Sequence, residues 1–177
     1  MSDKIYEAFL ERQLSEGLAL ARNSDILKLF PVSANPPQHY IAEFAAKGLV
    51  QDENDQIVEF GRFAVGIFFR DDYLRRVEIP VTLTYLGPAA KPWHPQIRPP
   101  FICLHVEPGT PLISILYGLH ELWTWNLYGL ADEGLNHGTT QWARGQDLKR
   151  RFPIDRRPLK RRRRNLSTDP PPEAPKQ

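Results

Sequence analysis

Apolar residues recur at helical spacing between residues 3 and 22, where Ile5, Phe9, Leu10, Leu14, Leu18 and Ala21 are interleaved with Glu7, Glu11, Arg12 and Glu16. This pattern predicts one amphipathic helix. The period then shortens. Ser24 to Leu29 and His39 to Ala46 read as short strands on either side of the turn signal Asn35-Pro36-Pro37, and polar punctuation follows at Asp52 to Asp55. Phe63, Val65, Ile67 and Phe69 alternate with smaller residues, and Val77, Ile79, Val81, Leu83 and Tyr85 alternate with Glu78, Pro80, Thr82 and Thr84. Both runs predict half-buried antiparallel strands. After an irregular stretch, Leu112, Leu116, Leu119 and Trp123 return to helical spacing, with Pro111 in the first turn and Thr110 as the predicted cap. A break from Gly129 to Gly138 precedes a shorter helix predicted over Thr139 to Arg151, which Pro153 ends. Helix, four-strand meander, loop and C-terminal helices together make an α+β order. No internal repeat is evident.

Charge divides the chain in two. Residues 1–148 carry 12 Lys and Arg against 18 Asp and Glu, whereas residues 149–177 carry 11 against 3. The expected organisation is one domain over residues 1–151 and a basic, proline-rich, disordered tail over 152–177, containing Arg156-Arg157-Pro158-Leu159-Lys160-Arg161-Arg162-Arg163-Arg164 and then Pro170-Pro171-Pro172. A domain of about 150 residues buries close to 70% of its unfolded surface and needs no disulfide or metal to fold. Neither a signal sequence nor a run of about 18 apolar residues is present, so a cytoplasmic protein without a membrane partner is expected.

The chain has one cysteine, Cys103, which excludes an intramolecular disulfide and a multi-cysteine zinc site. Among Phe101, Ile102, Leu104 and Val106 it is either a small buried hydrophobe or a reactive group. Five prolines from Pro88 to Pro100 forbid a continuous helix or central strand ahead of it, leaving a stiff loop of the kind that carries sites. His94, Gln96 and His105 are close in sequence and can polarise a thiol or bind an oxyanion. The remaining histidines, His39, His120 and His137, have no metal-ligand spacing, and His120-Glu121 lacks the second histidine of a zincin helix. Trp123 and Trp125 read as packing groups and Tyr73 as a turn anchor.

His94-Pro95-Gln96-Ile97 is similar to the His-Pro-Asn-Ile signature of the ubiquitin-conjugating enzymes, the E2 family, and Ile102-Cys103-Leu104 to the Ile-Cys-Leu around their catalytic cysteine. Thr110-Pro111-Leu112-Ile113-Ser114-Ile115 is similar to the Ser-Pro-Ala-Leu-Thr-Ile stretch opening the next helix of that family. Phe63 to Phe69 followed by Asp72-Tyr73 is similar to its Phe-rich strand and Asp-Tyr-Pro turn. The four pieces occur in family order at near-family spacing over roughly residues 3–150. The chain therefore resembles a divergent E2 of bacterial ubiquitin-like conjugation operons.

The resemblance implies a UBC-like α+β fold and an acyl transferase. Cys103 is then the nucleophile that receives a ubiquitin-like protein from an E1-like activating enzyme as a thioester and passes it to an amine on a target protein. It implies no cofactor on this chain, since ATP is consumed on the E1, and an anti-phage setting in which a deubiquitinase also acts. Gln96 stands where the family has an asparagine that supports the active-site loop and the oxyanion. His105 stands where many members have an acidic gate, and two positions along a strand it faces the same side as Cys103, as base or oxyanion donor. His94 is implied as the loop brace.

Two other classes stay open. One is an E2-variant binding module that only holds a ubiquitin-like protein, although such variants commonly lack the cysteine. The other is a nucleic-acid accessory protein acting through the basic tail. The acidic core, the scarcity of stacking aromatics near the tail and the missing RNP-like or helix-turn-helix pattern count against that class, so nucleic acid is not an expected partner.

Overall fold

The computed structural model describes residues 3–32, 35–130 and 134–161. It is a mixed α+β structure: an N-terminal helix, antiparallel sheets, then helices toward the C-terminus. Helix α1 spans Lys4–Arg22 and is capped by Asp3, whose side chain accepts from the N–H groups of Ile5 and Tyr6. Its buried face is Tyr6, Leu10, Gln13, Gly17 and Leu20, rotated from the stripe expected from hydrophobicity alone, and Ile5 is 75% exposed. Gly17 lies on that face at a close approach: a Cβ there would lie 2.8 Å from the Cδ2 carbons of both Leu112 and Leu29, and these side-chain ends would have to shift to admit it.

Strands β1 (Leu27–Val32), β2 (His39–Phe44), β3 (Gly48–Gln51), β4 (Ile57–Phe60) and β5 (Phe63–Phe68) follow. A single helical turn α2 (Ile79–Thr82) leads into β6 (Leu83–Gly87), and three two-residue strands complete the sheets, β7 (Lys91–Pro92), β8 (Ile97–Arg98) and β9 (Phe101–Ile102). The main sheet is antiparallel in the order β1-β2-β5-β6, with Leu27 opposite Phe44, Phe44 opposite Phe63 and Gly66 opposite Thr84. This is the expected four-strand meander, with two adjustments. The first strand begins at Leu27 because the Ser24 hydroxyl accepts from the N–H groups of Ile26 and Leu27 and makes a turn there. Val77 to Tyr85 is not one strand: Pro80 can donate to no ladder, and Thr82 N–H instead reaches Glu78 O at 2.9 Å in a helical turn, so the strand starts at Leu83.

Between β2 and β5 lies a hairpin that the hydrophobic pattern did not reveal. Its turn is held by Asp52, whose Oδ1 accepts from Asn54 and Gln56 N–H, both at 2.8 Å, while Asp55 adopts φ 60°. The hairpin and β7 form a second sheet in the order β4-β3-β7.

Helix α3 spans Leu112–Trp123 and packs with α1 against the main sheet. The expected Thr110 cap is not made. The Thr110 hydroxyl accepts from Glu107 N–H, and the first orphan donor of the helix, Leu112 N–H, is taken by Gln13 Oε1 of α1 at 2.8 Å. The predicted helix over Thr139 to Arg151 is two pieces, α4 (His137–Arg144), capped by Asn136, and α5 (Leu148–Arg151), separated at Gly145.

The expected tail boundary at residue 152 is also corrected, because Phe152, Asp155 and Leu159 are buried against the domain. Ile154 N–H donates to Thr124 O, Arg161 N–H to Asn23 O, and Asp155 accepts from Lys47 N–H and from the Arg157 guanidinium. The rest of the arginine run and the triple proline lie outside the described residues. Among the described residues, no helix is long and apolar enough to cross a membrane.

Gln13 is 1% exposed and also donates to Phe9 O, so its removal leaves a buried helix-end donor with no partner. Gln13→Leu is expected to lower unfolding free energy by about 1–3 kcal/mol. Urea denaturation of both proteins checks this; a change below about 0.5 kcal/mol would show that the buried bond carries no stability.

Candidate active site

The loop from Trp93 to Ile97 enters β8, and the hairpin turn Pro99–Pro100 returns the chain through β9 to Cys103. Ile97 pairs with Ile102, and just beyond that pair Cys103 N–H donates to Gln96 O at 2.8 Å. The two residues singled out in sequence are thus joined backbone to backbone. From Phe101 to Glu107 exposure alternates: Phe101, Cys103, His105 and Glu107 face out, while Ile102, Leu104 and Val106 enter the core. Cys103 is exposed, so the packing alternative for the lone thiol does not hold.

His94 is only 1% exposed. Its Nδ1 accepts from Gln96 N–H at 3.1 Å, which leaves Nε2 to carry the proton and donate to Leu127 O at 3.1 Å. Burial pushes its pKa down to about 3, against a smaller upward effect of the bond to Leu127. The imidazole is therefore neutral, fixed in one tautomer, and placed as a brace between two loops, with no route to act as a base at Cys103.

Gln96 is half-buried beside Gly129. Its Oε1 accepts from Gly129 N–H at 3.3 Å, and because that partner is a donor the amide orientation is fixed. Among the described residues, Nε2 is the donor of this amide left without a partner. His105 is 87% exposed at its side chain, with Nε2 3.3 Å from Glu107 Oε1. Tyr73 fixes the far end of the segment, as expected of a turn anchor, donating from its hydroxyl to Thr110 O at 2.9 Å and accepting Gly109 N–H at its carbonyl.

Much of the support for the His94 loop comes from residues after α3: Trp125, the packing group expected from sequence, is fully buried, and Leu135 and Asn136 were not singled out. Trp125 Nε1–H donates to Trp93 O at 3.1 Å, and Leu135 and Asn136 N–H both donate to Pro95 O. Gly134 is required here: it adopts φ 64°, and a Cβ would lie 2.8 Å from Pro95 O. The only cue to this platform was the glycine break itself. Trp123 is likewise core packing, in the larger cluster, stacked on Phe63 at 4.6 Å.

Among the described residues, no three His, Cys, Asp or Glu side chains are grouped to hold a metal ion. His120 is buried beside Phe44, and among the described residues its Nε2 has no hydrogen-bond partner. No protein-family model matches the chain, and no curated protein is significantly similar to it. An exposed thiol, an imidazole two positions further along the chain and an amide residue bonded to the thiol residue's backbone are groups of the kind that covalent acyl transfer uses.

Because folded His94 stays neutral down to about pH 3 while the unfolded chain takes up that proton near 6.5, stability falls as pH falls through this window. Between pH 7 and pH 4.5 the wild type is expected to lose about 2–3 kcal/mol more than His94→Gln. Urea titrations at the two pH values check it; equal losses would contradict a buried neutral imidazole.

Proposed function

We propose that the chain is an E2-like conjugating enzyme with a UBC-like fold, which carries a ubiquitin-like protein as a thioester on Cys103 and transfers it to an amine on a target protein. The observation that carries this reading is the pairing of Cys103 with Gln96: an exposed thiol whose own N–H is bonded to the residue that presents an unengaged amide donor. The motif order along the chain adds the family resemblance. With it come an E1-like enzyme and a ubiquitin-like protein as partners, a deubiquitinase in the same pathway, and a bacterial anti-phage defence setting in the cytoplasm.

In the first step the Cys103 thiolate attacks the E1-bound thioester carbonyl. A carbon–sulfur bond to Cys103 forms, the bond to the E1 sulfur breaks, and the E1 thiolate leaves. In the second, an amine attacks the Cys103 thioester and negative charge develops on the carbonyl oxygen, where the Gln96 Nε2–H group is the donor. His105 takes the proton from the attacking nitrogen, and the Cys103 thiolate departs. His94 exchanges no proton; it holds Gln96 and the loop.

Three departures from the family pattern define what is particular to this chain. Gln96 replaces asparagine on a stem one methylene longer. His105 replaces the acidic gate. Helix α1 balances Glu7, Glu11 and Glu16 against Lys4, Arg12 and Arg22, with Arg12 paired to Glu16, where many E2s present a basic E1-facing helix.

The test is incubation with the cognate E1, ubiquitin-like protein and ATP, followed by reducing and non-reducing gels. Wild type is expected to form a thiol-labile adduct and Cys103→Ser a thiol-resistant ester or none. Gln96→Ala is expected to charge normally and to discharge onto free amine on the order of 10²-fold more slowly. Absence of an adduct beside a charged E1 would sink the enzyme reading and leave a binding module in its place.

A further inference from the structure

Trp125 is fully buried with φ 62°, a backbone conformation that a bulky side chain rarely adopts. Such strain persists only where the surroundings hold it in place. Here the ring stacks on Phe152 at 4.5 Å and 11°, meets His94 edge-on at 4.8 Å and Trp142 at 5.7 Å, and donates to Trp93 O. The turn it makes at the end of α3 brings Asn126 and Leu127 N–H onto Glu121 O, at 2.8 and 3.0 Å, and sets Leu127 O against His94 and Gly129 N–H against Gln96. Both ends of the loop that carries the amide donor are thus tied to one strained residue.

Building on the reading of Cys103 as an acyl carrier, we propose that Trp125 is a positioning residue for the transfer step, holding Gln96 in place beside Cys103 through Trp93, His94 and Gly129. It touches neither the thiol nor the acyl group. Its effect passes through Gln96, so the two residues are energetically coupled. The C-terminal segment takes part as well, because Phe152 forms the other face of the indole stack.

Trp125→Phe keeps a ring and removes the Nε1–H bond. In the free protein, amide exchange at Cys103 and Gly129 is expected to accelerate about tenfold while Ile41 and Val65 in the main sheet stay protected. Discharge of the charged enzyme onto free amine is expected to fall about 10- to 100-fold, as misplacement of a reacting group from a distance does. In a Gln96→Ala background the same change is expected to cost less than about threefold, because the group being positioned is gone. Unchanged exchange at both amides, or full additivity with Gln96→Ala, would overturn the proposal. If wild type fails to charge beside a charged E1, the acyl-carrier reading falls, and unchanged or accelerated exchange still decides what Trp125 holds. If Trp125→Phe does not fold, Phe152→Leu takes its place in both arms, with the same directions expected.

Discussion

A neutral imidazole, closed off from water, with one nitrogen accepting from the chain just beyond it and the other donating to a loop about thirty residues away, is the joint on which the thiol segment rests. Each partner of His94 is a backbone group, one a donor and the other an acceptor, so the ring satisfies two demands with one fixed tautomer. A protonated ring could not accept from Gln96 N–H, and a deep site without water gives the extra charge no solvent. The position of Gln96, and through its carbonyl the position of Cys103, is therefore set by a group that does no chemistry itself.

That joint holds only because two hydrophobic cores meet at it. The larger one, between α1, α3 and the main sheet, fixes Tyr73 and the buried members of the segment from Ile102 to Val106. The smaller one gathers Leu49, Trp125, Ala143 and Phe152, with Trp93 and Trp142 packed against it. Its aromatic pairs combine stacked and edge-on geometries, which are more selective of orientation than aliphatic contacts. The loop of His94 lies between the two and takes its geometry from both.

Periodicity gave the main elements well wherever a residue's burial followed its hydrophobicity. The meander strands and α3 are of this kind. It failed where burial served another purpose. Gln13 and Gly17 lie on the buried face of α1 because one caps a helix and the other admits a close approach, and no hydrophobic pattern marks either role. The basic segment after residue 151 read as a tail because its charges outnumber its apolar residues, yet Phe152 and Leu159 are enough to anchor it, with Asp155 satisfying Arg157 and Lys47 N–H. In Asp155 burial raises the carboxyl pKa, and the bonds from Arg157 and the backbone outweigh it and hold it at about 2. At the site, His94, Gln96 and Cys103 were legible because they lie within ten positions of one another. Leu127, Gly129 and the backbone turn at Trp125 were not, because a carbonyl, an N–H and a left-handed backbone leave no trace in residue type until the fold brings them to the loop.

The strict alternation from Phe101 to Glu107 divides this short stretch between two masters. Its inward residues are fixed by the core and its length by the hairpin behind it and the Tyr73 turn ahead, so inserting or deleting one residue would turn the thiol inward and bring leucine and isoleucine to the surface. Its outward residues touch little. Mutation can therefore vary the chemistry of the site one outward position at a time while the frame stays the same, and a histidine two residues past the cysteine is one setting in that series.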